Sequence, residues 1–140
     1  MKLPDTFHIN GILYSRPELE AYSKLVSGDE RQPEWARKVF SFIRDFLDVR
    51  VELEQRSSGT TGDPKVFSMD RQAMLRSARL TLDFFDLHPG DRLLLALPVD
   101  YIAGKMIVVR ALAGELDLVL TEPSSRPLYK VEGSFSLVSM

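Results

Sequence analysis

The sequence has 140 residues, a length that suits one domain or a large piece of one. Its formal net charge of -2 and its pI near 5.7 argue against a nucleic-acid-binding protein, which usually carries an excess of basic residues. The absence of cysteine excludes disulfides, thiolate metal ligands and a cysteine nucleophile. The start shows no signal-peptide pattern and no apolar run approaches the roughly 18 residues of a membrane span, so we expect a cytoplasmic protein that does not enter membranes.

The first half of the sequence predicts a hairpin followed by two helices. Residues 7–14 form the hairpin, with Asn10-Gly11 as the turn dipeptide. Ser15 and Glu18 have the spacing of a capping box, which indicates the start of the first helix. The expected buried stripe of this helix is Leu19, Tyr22, Leu25 and Val26. The second helix covers about residues 33–47, with apolar positions every three or four residues: Trp35, Ala36, Val39, Phe40, Ile43, Phe46 and Leu47.

The second half predicts an alternation of strands and helices. Strands are expected over 51–55 and 65–69, and Asp70 caps a third helix that reaches about residue 85. The expected buried face of this helix is Met74, Ala78, Leu82 and Phe85. The remaining elements are a turn at 88–91, a buried strand at 93–97, a helix to about 113, a buried strand at 116–120 and a last strand at 134–140. Strand, helix and strand over about thirty residues make a βαβ unit, so the fold class is α/β.

Residues 57–65 read SSGTTGDPK and concentrate the groups that bind phosphate. Glycines let backbone N–H groups approach oxygens, hydroxyl side chains add donors, and a lysine adds a positive charge. A Walker A loop requires glycine at position 64 and Ser or Thr at position 66, where this sequence has Pro64 and Val66. The flanks also predict strand–loop–strand, so we reject the Walker A interpretation. A flexible Ser/Gly linker is the structural alternative, but a linker requires neither Pro64 nor Lys65.

The same stretch resembles the phosphate loop of the adenylate-forming superfamily, which includes acyl-CoA synthetases, luciferases and the adenylation domains of peptide synthetases. The usual form, (S/T)-S-G-(S/T)-T-G-x-P-K-G, is matched at nine consecutive positions, and the tenth departs because Val66 replaces glycine. Residues 98–104 resemble the P-x-x-(H/Y)-x-x-G segment of the family, with Tyr101 where many members have histidine. The resemblance extends from about residue 52 to residue 120. The short start and the stretch 100–112 are most similar to the o-succinylbenzoate–CoA ligases of menaquinone biosynthesis.

The resemblance implies an ATP-dependent, AMP-forming acid–CoA ligase and the N-terminal portion of its large domain, with βαβ units and a mostly parallel sheet flanked by helices. In that reaction a carboxylate attacks the α-phosphate of ATP, and the thiol of CoA then takes the acyl group and releases AMP. The implied phosphate-binding residues are Ser57, Ser58, Gly59, Thr60, Thr61, Gly62 and Lys65. Mg²⁺ accompanies the nucleotide. The residues themselves show no metal-ligand spacing, and none is assigned a catalytic role.

Two residues at the start of the fourth predicted helix are candidates for the acyl pocket. Lys105 has apolar neighbours on this helix, and a charge among apolar neighbours requires a partner or a route to water. We hypothesise that Tyr101 or Lys105 faces the acyl pocket and recognises a carboxylate of the substrate. The structural alternative is a lysine that extends to solvent and a tyrosine in the core.

The chain is expected to form a single incomplete N-terminal subdomain. Its expected parts are a variable helical start (1–50), a strand–phosphate loop–strand unit (51–69), a helix–strand–helix–strand unit (70–122) and a loop with a last strand (123–140). The Y-G-x-T-E stretch and the small C-terminal domain of the family are missing from the sequence, so we expect the chain to be inactive alone. We also expect self-association through surface that an incomplete domain exposes. The alternative is a stand-alone nucleotide-binding or scaffold module that kept the phosphate loop without the chemistry.

Overall fold

A computed structural model describes residues 2–57, 63, 65–123 and 137–138. Within those residues the chain forms a five-stranded sheet, a separate two-stranded sheet and four helices. In chain order the elements are β1 (Thr6–Ile9), β2 (Ile12–Ser15), α1 (Arg16–Ser27), α2 (Glu34–Leu47), β3 (Leu53–Ser57), β4 (Lys65–Met69), α3 (Arg71–Phe84), β5 (Arg92–Leu95), α4 (Ile102–Gly114), β6 (Asp117–Leu120) and β7 (Leu137–Val138).

The larger sheet is mixed and mostly parallel, with the strand order β2-β1-β6-β5-β7. β1 and β2 are antiparallel, whereas β6 is parallel to both of its neighbours, β1 and β5, and β7 is parallel to β5. α4 connects the parallel strands β5 and β6 and contacts both of them. These features confirm the predicted α/β class and the βαβ unit. None of the helices in the described part of the chain combines the length and apolar character that a bilayer crossing requires.

The hairpin at the start of the chain forms as the turn dipeptide predicted. Asn10 and Gly11 both have positive φ angles, 51° and 78°, which the primed two-residue turns of hairpins require. The turn is also tied to β6. The Asn10 side-chain oxygen accepts from the Leu120 N–H at 2.8 Å, and the Gly11 N–H donates to Asp117 Oδ1 at 2.8 Å. These bonds fix the hairpin at the edge of the parallel sheet.

The capping box at the start of α1 is confirmed, and two residues of its predicted stripe are wrong. Ser15 Oγ accepts from the Glu18 N–H, and Glu18 Oε1 accepts from the Ser15 N–H. Leu19 and Val26 are buried, but Leu25 is 68% exposed and Tyr22 is 38% exposed. At 100° per residue, Val26 lies about 20° from Leu19 around the helix, whereas Leu25 lies about 120° away and faces solvent.

Two further expectations about apolar side chains are corrected on α2 and α3. Trp35 is half-buried at the start of α2, whereas the other predicted apolar positions of that helix are buried. Asp70 caps α3 by accepting from the Gln72 N–H at 2.9 Å, as predicted. Phe85 is 51% exposed because α3 ends one residue earlier and its buried face stops at Leu82.

The core is organised around α4, which is apolar on nearly every side. Its buried residues are Gly104, Met106, Ile107, Val108, Val109, Ala111, Leu112 and Ala113. β5 is buried on both faces, as the sequence predicted, since Leu93 and Leu95 belong to the main core and Leu94 packs with Ala96 and Val119 in a second cluster. The observed strand begins at Arg92 and ends at Leu95, slightly earlier than the predicted 93–97.

One guanidinium group joins α2, α3 and the approach to β3. Arg71 Nη2 donates to the carbonyls of Asp45, Asp48 and Val51 at 2.8–3.1 Å, and Arg71 Nε donates to the Phe46 carbonyl at 2.9 Å. Carbonyls at the end of a helix have no partner within the helix and require an outside donor. Arg71 therefore caps α2 from the first turn of α3 and fixes the turn that leads into β3.

We predict that Arg71→Met lowers the free energy of unfolding by about 2 kcal/mol or more, because four backbone carbonyls lose a charged donor. Urea unfolding followed by circular dichroism measures the change. Arg79→Met is the matched control, since Arg79 lies on the exposed side of the same helix and its loss is expected to change stability by less than about 0.5 kcal/mol. Equal losses in the two variants would show that the carbonyl contacts do not contribute.

Candidate functional site

The predicted phosphate loop connects the two strands of the smaller sheet. β3 and β4 are antiparallel, and their last pair is Ser57 opposite Lys65. Ser57 Oγ lies 3.5 Å from the Lys65 carbonyl oxygen, to which it donates. A strand follows the loop rather than a helix, which agrees with the rejection of a Walker A loop. Five of the proposed phosphate-binding residues lie outside the described residues: Ser58, Gly59, Thr60, Thr61 and Gly62.

The described ends of the loop face different surroundings. Ser57 is half-buried, whereas Lys65 is exposed, so its ammonium is accessible to an anion from solvent. On β3 the buried residues are Leu53 and Gln55, and β4 has no buried residue. The β3–β4 hairpin therefore packs on the rest of the domain mainly through the inward side chains of β3, together with half-buried Met69 of β4.

Gln55 is the residue of this region that the sequence interpretation missed. Its side chain is buried, with 4% of the residue exposed, and all of its polar atoms have partners. Nε2 donates to the Asp100 carbonyl at 2.9 Å and to the Arg56 carbonyl at 3.0 Å, and Oε1 accepts from Lys105 Nζ at 2.5 Å. We call Gln55, Lys105 and the Asp100 carbonyl the Gln55 joint. The sequence does contain a signal for this residue. Gln55 is polar and lies two positions after Leu53, where strand alternation places its side chain on the same inward face.

Lys105 is half-buried on the first turns of α4, and its ammonium contacts two protein groups. Besides Gln55, Lys105 Nζ lies 5.9 Å from the centre of the Phe42 ring, within the range of a cation–π contact. Burial lowers the pKa of Lys105, and the nearby Asp100 carboxylate opposes this by raising it. Asp100 itself pairs with Lys38 at 3.0 Å.

Tyr101 takes the N-cap position of α4, immediately before the helix. Its side chain is exposed, at 64% for the residue, so the alternative that places it in the core is wrong. The phenol lies in the segment that follows Asp100, whose carbonyl accepts from Gln55. Tyr101 and Lys105 therefore lie at the start of α4, which is the end of the helix that β3 contacts just before the loop.

Gly104 lets α4 approach the preceding segment more closely than any other residue allows. A Cβ at this position would lie 2.1 Å from the Pro98 carbonyl oxygen and 2.7 Å from its carbonyl carbon. Backbone atoms cannot turn aside as a side chain does. The spacing between Pro98 and Gly104, which the sequence interpretation attributed only to family resemblance, thus has a direct steric cause.

A cavity of about 150 Å³ lies beside this segment, where β5 and β6 reach their carboxyl ends. It is lined by Glu34, Trp35, Lys38, Val39, Leu95, Leu97, Pro98, Val99, Asp100, Thr121 and Pro123. The carboxyl edge of parallel strands is where open α/β sheets usually bind ligands. The described residues contain no group of three or more His, Cys, Asp or Glu side chains able to hold a metal ion.

Comparison with known proteins finds a solved structure similar to the chain. No family model and no curated protein matches it. Among solved structures, it is similar to an acyl-CoA synthetase (AMP-forming)/AMP-acid ligase II-like protein from Dyadobacter fermentans DSM 18053, with 31% identity, a TM-score of 0.69 and 83% of this chain covered. The chain has the fold of part of an adenylate-forming domain. The match covers 34% of the Dyadobacter protein, so the chain spans about a third of that protein's length.

We predict that Gly104→Ala lowers the free energy of unfolding by about 1–3 kcal/mol, because α4 must move away from Pro98 to admit a methyl group. Thermal and urea unfolding measure the loss. Gly28→Ala is the control, since its Cβ would meet only the Lys24 carbonyl oxygen at 3.5 Å, an ordinary contact. Unfolding free energies that fall equally in both variants would contradict the steric argument.

Proposed function

We propose that this chain is the phosphate-loop portion of an ATP-dependent, AMP-forming acid–CoA ligase. The observation that carries the proposal is the strand–loop–strand unit closed by Ser57 and Lys65, which contains the nine-residue motif of the adenylate-forming superfamily. The similar Dyadobacter structure, described as an AMP-forming acyl-CoA synthetase-like protein, supports the same class.

In the proposed reaction, the carboxylate oxygen of the acid attacks the α-phosphorus of ATP, and pyrophosphate leaves. The sulfur of CoA then attacks the acyl carbon, and AMP leaves. The hydroxyls of Ser57, Ser58, Thr60 and Thr61 would donate to the β- and γ-phosphate oxygens, and Gly59 and Gly62 would allow close backbone approach. The Lys65 ammonium would offset the charge that develops on the departing pyrophosphate, which is electrostatic stabilisation rather than acid–base chemistry. Mg²⁺ would arrive with the nucleotide.

For the acid, we propose an o-succinylbenzoate-type substrate of menaquinone biosynthesis, on the resemblance of residues 100–112. Tyr101 and Lys105 are the candidates to contact it. Tyr101 offers an exposed phenol at the start of α4, whereas the Lys105 ammonium already bonds to Gln55. The proposed partners are thus small molecules (a carboxylic acid, ATP and CoA), and the proposed location is the cytoplasm.

The first test is calorimetric titration of the 140-residue chain with Mg·ATP. We expect weak binding, near the millimolar dissociation constant that corresponds to about 4 kcal/mol, because the loop contacts only phosphates. Lys65→Ala should weaken binding about tenfold, since a charge-assisted contact is lost. Lys24→Ala on α1 removes the same charge from an exposed helix and should leave affinity unchanged.

Two results of this titration would contradict the proposal: no binding to a folded chain, or the same affinity in Lys65→Ala as in Lys24→Ala. Binding that depends on Lys65 establishes the nucleotide site. In that case, acyl-adenylate formation by a longer protein carrying this segment separates a ligase from a module that only binds nucleotide.

The second test concerns the acid. In a full-length ligase carrying this segment, we predict that Tyr101→Ala raises the KM for the acid several-fold and leaves the KM for ATP unchanged, because the phenol contacts only the acyl group. Steady-state kinetics with each substrate varied in turn measures both constants. An unchanged KM for the acid would remove Tyr101 from the proposed pocket.

A further inference from the structure

We propose that Gln55 and Lys105 are positioning residues, which fix the direction of the phosphate loop by fastening β3 to the first turns of α4. The reference to phosphate rests on the proposed function. The mechanical part, the attachment of the hairpin to α4, rests on the contacts alone.

The β3–β4 hairpin has few other attachments to the rest of the domain. β3 and β4 form their own sheet and share no strand with the five-stranded sheet. The inward residues of β3 are Leu53, which joins the main core, and Gln55. Met69 of β4 also packs on the core, but it pairs with Leu53 at the end of the hairpin away from the loop, whereas Gln55 lies two residues before Ser57. The direction in which β3 delivers the loop therefore depends on the contacts of Gln55.

The contacts of Gln55 permit a single orientation of its amide. Both protons of Nε2 point to carbonyl oxygens, those of Asp100 and Arg56, and Oε1 faces the Lys105 ammonium. If the amide were turned over, its NH₂ group would face the ammonium and its oxygen would face two carbonyls. Every contact would then be repulsive, at a site with almost no access to water. The joint thus determines both the rotamer of Gln55 and the path of β3.

Lys105 has a role in this joint that a lysine extended to solvent would not have. Its described partners are the Gln55 oxygen and the face of the Phe42 ring. The nearby Asp100 carboxylate bonds to Lys38 instead. Because the Asp100 carbonyl belongs to the segment just before Tyr101, a shift of the α4 N-terminus would be transmitted through Gln55 to the base of the loop.

Hydrogen exchange of backbone amides tests the joint directly in the 140-residue chain. In Lys105→Met and in Gln55→Leu, which keep length or volume but lose the bonds, we expect amides of the β3–β4 ladder to exchange about tenfold faster. Amides shared by β5 and β6 should change by less than about twofold, because those strands do not depend on the hairpin. A purely structural role in global stability would instead accelerate both sheets together.

Two matched variants sharpen the comparison. Lys105→Arg keeps a donor at the same position and should restore the slow exchange of the hairpin. Lys38→Met removes the same charge from the same region, but the described partners of Lys38 are the carboxylates of Glu34 and Asp100 rather than groups of β3, so exchange of the β3–β4 hairpin should stay as in the parent chain. If Gln55→Leu does not fold, the Lys105→Met and Lys105→Arg pair still decides. Unchanged hairpin exchange in Lys105→Met, or equal acceleration of both sheets, overturns the proposal.

The same variants distinguish failure of the joint from failure of the nucleotide site. Exchange is measured without nucleotide, so a hairpin-specific effect in a chain that does not bind Mg·ATP supports the joint and rejects the proposed function. Lys65-dependent binding of Mg·ATP, with no hairpin-specific effect in Lys105→Met, supports the proposed function and rejects the joint. If both hold, Lys105→Met should weaken Mg·ATP several-fold and Lys105→Arg should recover it.

Discussion

The buried amide of Gln55 is the interaction on which the geometry of the candidate site depends. A buried amide is costly unless every donor and acceptor is satisfied, and this one is satisfied by groups from three different segments. Breaking any one of these hydrogen bonds therefore costs the free energy of leaving a buried polar atom without a partner. At the opposite end of β3, Arg71 binds the Val51 carbonyl and the end of α2. The hairpin is thus held before and after Leu53 by two polar clamps of different chemistry.

The close contact at Gly104 gives these clamps a fixed reference. Since α4 lies directly on the Pro98 carbonyl, the Asp100 carbonyl and the Lys105 ammonium are held on one rigid turn. Gly104 thereby determines the positions of the Asp100 carbonyl and the Lys105 ammonium, the two groups that bond to Gln55 of β3. Backbone proximity and side-chain hydrogen bonding are parts of one arrangement, which spans from β5 to the loop.

Local signals predicted most of the fold. The Asn10-Gly11 turn and the capping box of α1 involve neighbours in sequence, and the apolar run of β5 reports burial whatever lies next to it. Tyr22, Leu25, Trp35 and Phe85 were assigned to the core wrongly, because periodicity states that a helix has an apolar side but not how far the covering elements extend. In the candidate site, nine adjacent residues were enough to predict the phosphate-loop motif. Gln55 was missed because two of its three partners lie 45 and 50 residues further along, and only the folded chain brings them together.

The placement of β1 beside β6 has a consequence for how the chain is made. The Asn10 side chain bonds to the Leu120 amide across 110 positions, so the ribosome must add all of the intervening residues before β1 has its parallel neighbour. Until then the β1–β2 hairpin is held by local pairing alone. Phe7 and Ile9, which are nearly fully buried in the final sheet, are exposed during this time. Joining strands so distant carries a large loop-closure entropy and makes folding slow. The nascent β1–β2 hairpin is therefore open to wrong pairing during this interval, and a chaperone that covers it would prevent such pairing.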